Sequence, residues 1–166
     1  STPSKETIWL LNAYLKKPTK DKKQSDNIRK KQVCKIAEVY NNLIAEGKTN
    51  IIIAGTFNAP SYCNSLSPLI QNTDLKDITK HLSFEVDIDK GNDGTYFRLG
   101  AYRMGVNIKQ KDYMLFSPAL FNKMKDSGLN RKAMWPEKQP QWSIYKSVTN
   151  RNVAASEHPL VWSNMK

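Results

Sequence analysis

Residues 50–60 read NIIIAGTFNAP, an apolar, β-branched run that breaks at Gly55 into a loop carrying Asn58 and Pro60. Ile51 to Ala54 suit a short buried strand, and the turn-forming residues behind them end it abruptly. Upstream, residues 7–15 read TIWLLNAYL, which places Ile8 and Leu10 on one side of an extended chain and Trp9, Leu11 and Leu15 on the other. Such a segment reads as a central strand covered on both faces. Between the two runs, Ile28, Val33, Ile36, Ala37, Tyr40, Leu43 and Ile44 recur at three and four residues, the spacing of an amphipathic helix. Asp26 or Ser25 is placed to cap that helix and Gly47 to end it. Strand, helix and strand in this order predict a right-handed crossover between parallel neighbours.

Further along, the sequence predicts a loop over 55–64, a short helix over 65–71 and a strand over 95–99. Residues 112–116, DYMLF, form another strand with apolar residues on both faces, and Ser117 with Pro118 opens a short helix through Phe121. A loop rich in Trp and Pro then leads to a last strand around 160–162. One long amphipathic helix cannot cover both faces of such strands, so one face of the sheet is expected to lack cover.

The chain of 166 residues is long enough for one folding unit with one core. Twenty-six Lys and Arg against fifteen Asp and Glu give a net charge of +11, which attracts polyanions such as nucleic acid or other phosphate esters. A solvated, lysine-rich surface accounts for the same excess, because the lysines are dispersed outside residues 16–31. No stretch approaches the roughly 18 apolar residues of a membrane span, and the N-terminus lacks the apolar region of a signal peptide, so no membrane partner is expected. Cys34 and Cys63 fall in no paired motif and read as free thiols, as in a reducing compartment.

Five segments in order carry a resemblance: LLNAYLK at 10–16, the helix with RKKQ at 29–32, IIIAGTFNAPSYCNSLSPLI at 51–70, QKDYMLFSPALF at 110–121 and AASEHPLVW at 154–162. With TDLKDI at 73–78 and GTY at 94–96 they span nearly the whole chain. Together they resemble the C-terminal half of a domain of the endonuclease/exonuclease/phosphatase superfamily, and bacterial members in the tract GLNRKAMWPE at 128–137. The resemblance implies an α/β fold, half of a four-layer α/β sandwich, in which residues 1–166 form a single unit with one mixed β-sheet and helices on its outer face. It implies hydrolysis of phosphate esters with Mg or Mn, nuclease activity being the inherited one. It also implies a second half-domain, in another chain or in a second copy, carrying the other sheet and the family's metal-binding Glu.

Carried over position by position, His158 corresponds to the family's catalytic His, Asp112 to the carboxylate that orients it, and Asn58 to the amide donating to the scissile phosphate. Three positions differ. Thr56 stands in place of an Asp and carries no charge to bind a cation or draw a proton from water; losing such a group lowers rates by about 10²–10⁴-fold. Glu157 stands in place of an Asp beside the His, as the metal ligand moved outward by one methylene, which strict magnesium geometry tolerates poorly. Tyr14 stands in place of a His, and a phenol with a pKa of about 10 is a weak acid/base near neutrality. Arg29, with Gln32 on the same helix, and Arg103, with Arg98, are candidate phosphate-binding residues, although a solvated helix face and a loop explain them equally. Trp135, Trp142 and Tyr145 among Lys132, Lys138 and Lys146 suit stacking of bases, or local packing. Two functions follow: a metal-dependent phosphodiesterase acting on nucleic acid, weakened or lost at the altered positions, or a non-catalytic phosphate-binding, nucleic-acid-binding or protein-assembly module on the same scaffold.

Overall fold

The computed structural model describes residues 6–86, 110–135, 144–156 and 158–165. The strand expected at 95–99 lies outside them. Strand β1 (Trp9–Tyr14), helix α1 (Lys22–Ala45) and strand β2 (Ile51–Thr56) form the expected crossover, the two strands running parallel from Trp9 opposite Ile51 to Tyr14 opposite Thr56. The helix begins earlier than the apolar spacing suggests. Asp21 is its cap, accepting from the Gln24 N–H at 2.8 Å, while Ser25 is buried and Asp26 pairs with Arg29. Its other end closes where the Gly47 N–H donates to the Ile44 carbonyl at 2.9 Å.

A short helix α2 (Ser67–Ile70) follows, then the two-residue strand β3 (Lys76–Asp77) and strand β4 (Phe84–Val86). Strand β5 (Asp112–Phe116) leads through Ser117 into helix α3 (Pro118–Lys123), strand β6 (Met124–Asn130) and finally strand β7 (Leu160–Met165). Ser117 occupies the cap position of α3 without capping it. Its hydroxyl donates instead to the Thr49 carbonyl at 2.6 Å and accepts from the Ile51 N–H at 3.1 Å, fastening the end of β5 to the start of β2.

The protein is a mixed α/β fold. Its described strands form two hydrogen-bonded sheets where the sequence suggested one: a four-stranded sheet ordered β1-β2-β5-β3 and a three-stranded sheet ordered β4-β6-β7. Strand β6, with the sequence MKDSGLN, was not expected. A glycine is required in it, because a Cβ at Gly128 would meet the Glu85 carbonyl oxygen at 2.5 Å and the Trp162 ring at 2.9 Å.

On one face of the larger sheet, Leu11, Ala13, Ile51, Ile53, Tyr113 and Leu115 pack with Val33, Ala37 and Tyr40 of α1 and with Leu66 and Leu69. On the other face, Ile52, Met114 and Phe116 meet Phe84, Leu120, Phe121, Met124, Val161 and Met165, so the chain's own second sheet supplies part of the cover. The cover stops short of β1. Among the described strands β1 lies at the edge of its sheet rather than at the expected centre, and its Leu10 is 64% exposed and Ile8, just before it, 48%. Among the described residues, packing thus matches one of the strand's two apolar faces.

Candidate functional site

Strand register brings three of the sequence-derived positions into one row. Tyr14 lies opposite Thr56, and Thr56 opposite Asp112, across β1, β2 and β5. Paired residues send their side chains to the same face of a sheet, here the face that the second sheet partly covers. The Thr56 hydroxyl donates to Asp112 Oδ1 at 2.7 Å. His158, in the segment entering β7, holds its Nδ1 at 2.8 Å from Asp112 Oδ2 and 3.0 Å from Oδ1. A carboxylate accepts, so the imidazole proton sits on Nδ1 and Nε2 is left for whatever enters the site. The His158 N–H, bonded to Ser156 Oγ at 2.9 Å, fixes the backbone as well. The His158 side chain is 44% exposed and that of Asp112 22%, so the pair meets solvent directly.

The strand bearing Asp112 is braced by groups that the motifs contain but that their reading did not single out. Gln110 Nε2 donates to Asp77 Oδ2 at 3.0 Å and to the Asp112 carbonyl at 3.2 Å, linking β3 to the site. The Tyr113 hydroxyl donates to the Ala59 carbonyl at 2.9 Å, and its ring stacks on Phe57 at a centroid distance of 4.7 Å. Burial, with the negative charge of Asp77 beside it, pushes the Tyr113 hydroxyl far above its ordinary value, so it stays a neutral donor. The QKDY and TDLKDI strings were the available signal, since both polar partners belong to them.

Asn58 reaches the same end of the sheet by a left-handed turn, with φ of 56°, a conformation Asn tolerates better than most residues. It is only 7% exposed, and its Nδ2 donates to the Leu15 carbonyl at 2.9 Å. The amide expected to face a phosphate therefore also ties the exit of β1 to the exit of β2. Tyr14 is 60% exposed. Hydrogen bonding from Lys17, and to a smaller extent from Asn58, holds its phenol below the usual tyrosine value. Gly55 makes the close approach of β1 and β2 possible: its φ is +138°, and a Cβ there would lie 2.0 Å from the Ala13 carbonyl oxygen.

Arg29, a candidate phosphate contact, is placed in the interior instead, 1% exposed. Its Nε donates to the Lys16 carbonyl at 3.1 Å, and its Nη1 pairs with Asp26 and reaches Ser65 Oγ at 3.3 Å. Gln32 accepts from the Lys16 N–H at 2.9 Å. Both residues of that helix pattern hold the loop after β1. Glu157, Arg98, Arg103 and Trp142 lie outside the described residues.

Magnesium or manganese would need several oxygen ligands in near-octahedral array. Among the described residues no three His, Cys, Asp or Glu side chains gather as a metal site, and both oxygens of Asp112 are engaged by Thr56 and His158. Glu157, the candidate ligand, lies outside the described residues, and what those residues offer is a positioned imidazole Nε2, a phenol and a lysine ammonium for an anion.

No family model matches the sequence, and no curated protein matches it. Among solved structures, an endonuclease/exonuclease/phosphatase family protein from Bacteroides thetaiotaomicron is similar with a TM-score of 0.42 and 17% identity over 63% of this chain. The likeness takes in 34% of that protein, so this chain spans about a third of its neighbour's length. It is a distant resemblance, and the functional reading below is carried by the site residues.

Proposed function

We propose that this chain is a phosphate-ester-binding unit on a nuclease-like scaffold, in which inherited metal-dependent hydrolysis of nucleic acid is weakened or lost. The observation that carries the reading is the occupant beside Asp112. A hydroxyl, Thr56, donates to that carboxylate where the motif it resembles has an Asp that positions the water or the metal. Two carboxylates at this spacing need a cation or a shared proton between them, whereas a hydroxyl and a carboxylate satisfy each other with neither. His158 remains oriented for an oxygen of a phosphoryl group, and Lys17 beside Tyr14 adds charge at the same end of the sheet. The net charge of +11 supports a polyanionic ligand.

The test is anisotropy of a labelled oligonucleotide titrated with protein across a salt series, run beside a cleavage assay with magnesium and with manganese. Binding that weakens steeply with log salt, without cleavage at high protein concentration, is the expected result. Cleavage by this chain alone would overturn the loss of hydrolysis, and salt-insensitive binding would overturn the phosphate contact. A second reading, that the chain is one part of an active phosphodiesterase, is favoured by the exposed Leu10 on β1 and Ile8 just before it, where a second half-domain from another chain or copy would pack. Metal-dependent cleavage gained on adding such a half would decide for it.

A further inference from the structure

A cleft of about 390 Å³ opens beside His158, lined by Met134, Tyr145, Ala155 and Leu160 together with Asn130 and His158 itself. Its walls are tied by backbone bonds. Met134 bridges Ser156, the Trp135 N–H donates to the Ser156 carbonyl at 3.0 Å, the Ala155 N–H to the Ala133 carbonyl at 2.9 Å, and the Tyr145 N–H to the Lys132 carbonyl at 3.0 Å. The chain leaving β6 and the chain entering β7 are thus zipped together. Since the His158 N–H is fixed on Ser156, the cleft and the imidazole share one frame.

The volume lies in the range of roughly 300–1,000 Å³ of small-molecule sites, and a mostly apolar lining with a few polar groups suits an uncharged organic group. Tyr145, 51% exposed, offers a ring for stacking. The Asn130 side-chain oxygen accepts from the Lys132 N–H at 2.9 Å, which leaves its NH₂ to donate to a ring nitrogen or carbonyl. Pairing in a duplex keeps a base inside the stack, so an unpaired nucleotide reaches such a cleft at the least cost.

We propose that this cleft takes the base of a single unpaired nucleotide whose phosphate lies against His158. The proposal rests on the phosphate-binding reading above and narrows it to single-stranded or extrahelical nucleic acid. It makes the organic group, through Tyr145 and Met134, a source of affinity separate from the charge.

The full chain, labelled with ¹⁵N, is titrated by NMR with inorganic phosphate, an uncharged nucleoside and a nucleoside 5′-monophosphate, and single-stranded and duplex oligonucleotides are then compared. The mononucleotide is expected to bind about tenfold more tightly than phosphate, and the single strand more tightly than the duplex. Tyr145→Ala should remove that advantage and leave phosphate affinity within about twofold. Ala155→Leu, which fills the cleft from another wall, should act in the same way. A mononucleotide no tighter than phosphate, or an advantage that survives both substitutions, overturns the cleft and leaves the phosphate reading standing. Nucleoside binding that depends on Tyr145, with no binding of phosphate, overturns the phosphate reading and supports the cleft as a base site.

Discussion

Ile51, Ile53, Tyr113 and Leu115 are buried on the face of the four-stranded sheet turned toward α1, whereas Ile52, Ala54, Thr56 and Met114 on the opposite face are only half-buried. The first face is apolar along its length and closed by helices. The second changes character along its strands, from the packed Phe116 to the polar row of Tyr14, Thr56 and Asp112 with His158 above it. Both belong to the same three strands. The difference teaches that the helix face sets stability while the other face is free to carry chemistry, because polar groups at its rim keep contact with water and with one another.

The sharpest way to break this division is at the backbone both faces share. Gly55→Ala should cost about 4 kcal/mol or more, since the new Cβ would collide with the Ala13 carbonyl oxygen, and urea unfolding reads that loss. Arg29→Met should cost about 3 kcal/mol, because it removes the buried partner of Asp26 and of the Lys16 carbonyl. If Arg29 served the ligand instead, stability would be kept and oligonucleotide affinity would fall. Paired truncations compare the faces directly: Ile53→Ala should cost about 3 kcal/mol, Ile52→Ala about half of that, and Leu10→Ala less than about 0.5 kcal/mol. Equal costs at the first two would erase the distinction.

Thr56→Asp should destabilise the metal-free protein by about 1–2 kcal/mol, because it sets two carboxylates side by side. Combined with Glu157→Asp, it should make the melting temperature rise with added magnesium or manganese; a melting temperature indifferent to both ions would show that more than these side chains has changed. A further effect is the pH response of the covered face. Burial raises the hydroxyl of Tyr113, and burial with Asp74 raises that of Tyr40, so each is favoured in its protonated form by the folded chain. Their contribution is complete below the unfolded tyrosine value of about 10 and is lost as pH rises above it, by about 1 kcal/mol near pH 10.5. Denaturation at pH 9 and 10.5 measures it, and Tyr113→Phe should reduce the difference.

The crossover and β5 are legible in the sequence because their apolar periods are long and unbroken. The edge position of β1 is not, since TIWLLNAYL states that both faces are apolar but not that Leu10 stays exposed. The helix start was missed, because Ser25 and Asp26 stand just before the apolar spacing begins, whereas the cap is Asp21 and Asp26 pairs with Arg29. Strand β6 escapes notice because MKDSGLN has no clean alternation and carries its glycine where Trp162 needs room. Of the positions that the resemblance named, Tyr14, Thr56 and Asp112 share one row across three strands and His158 bonds Asp112. Arg29 shows the reverse, since a charged residue on a helix looks solvent-facing until the loop that wraps it is known.

Thr56 and Asp112 are neighbours across the sheet yet stand 56 positions apart in the chain. During synthesis, β1, α1 and β2 leave the ribosome well before β5, and through that interval the lateral edge of β2 has nothing to pair with. The imidazole–carboxylate pair can therefore be assembled only after β5 and the segment entering β7 have both been made.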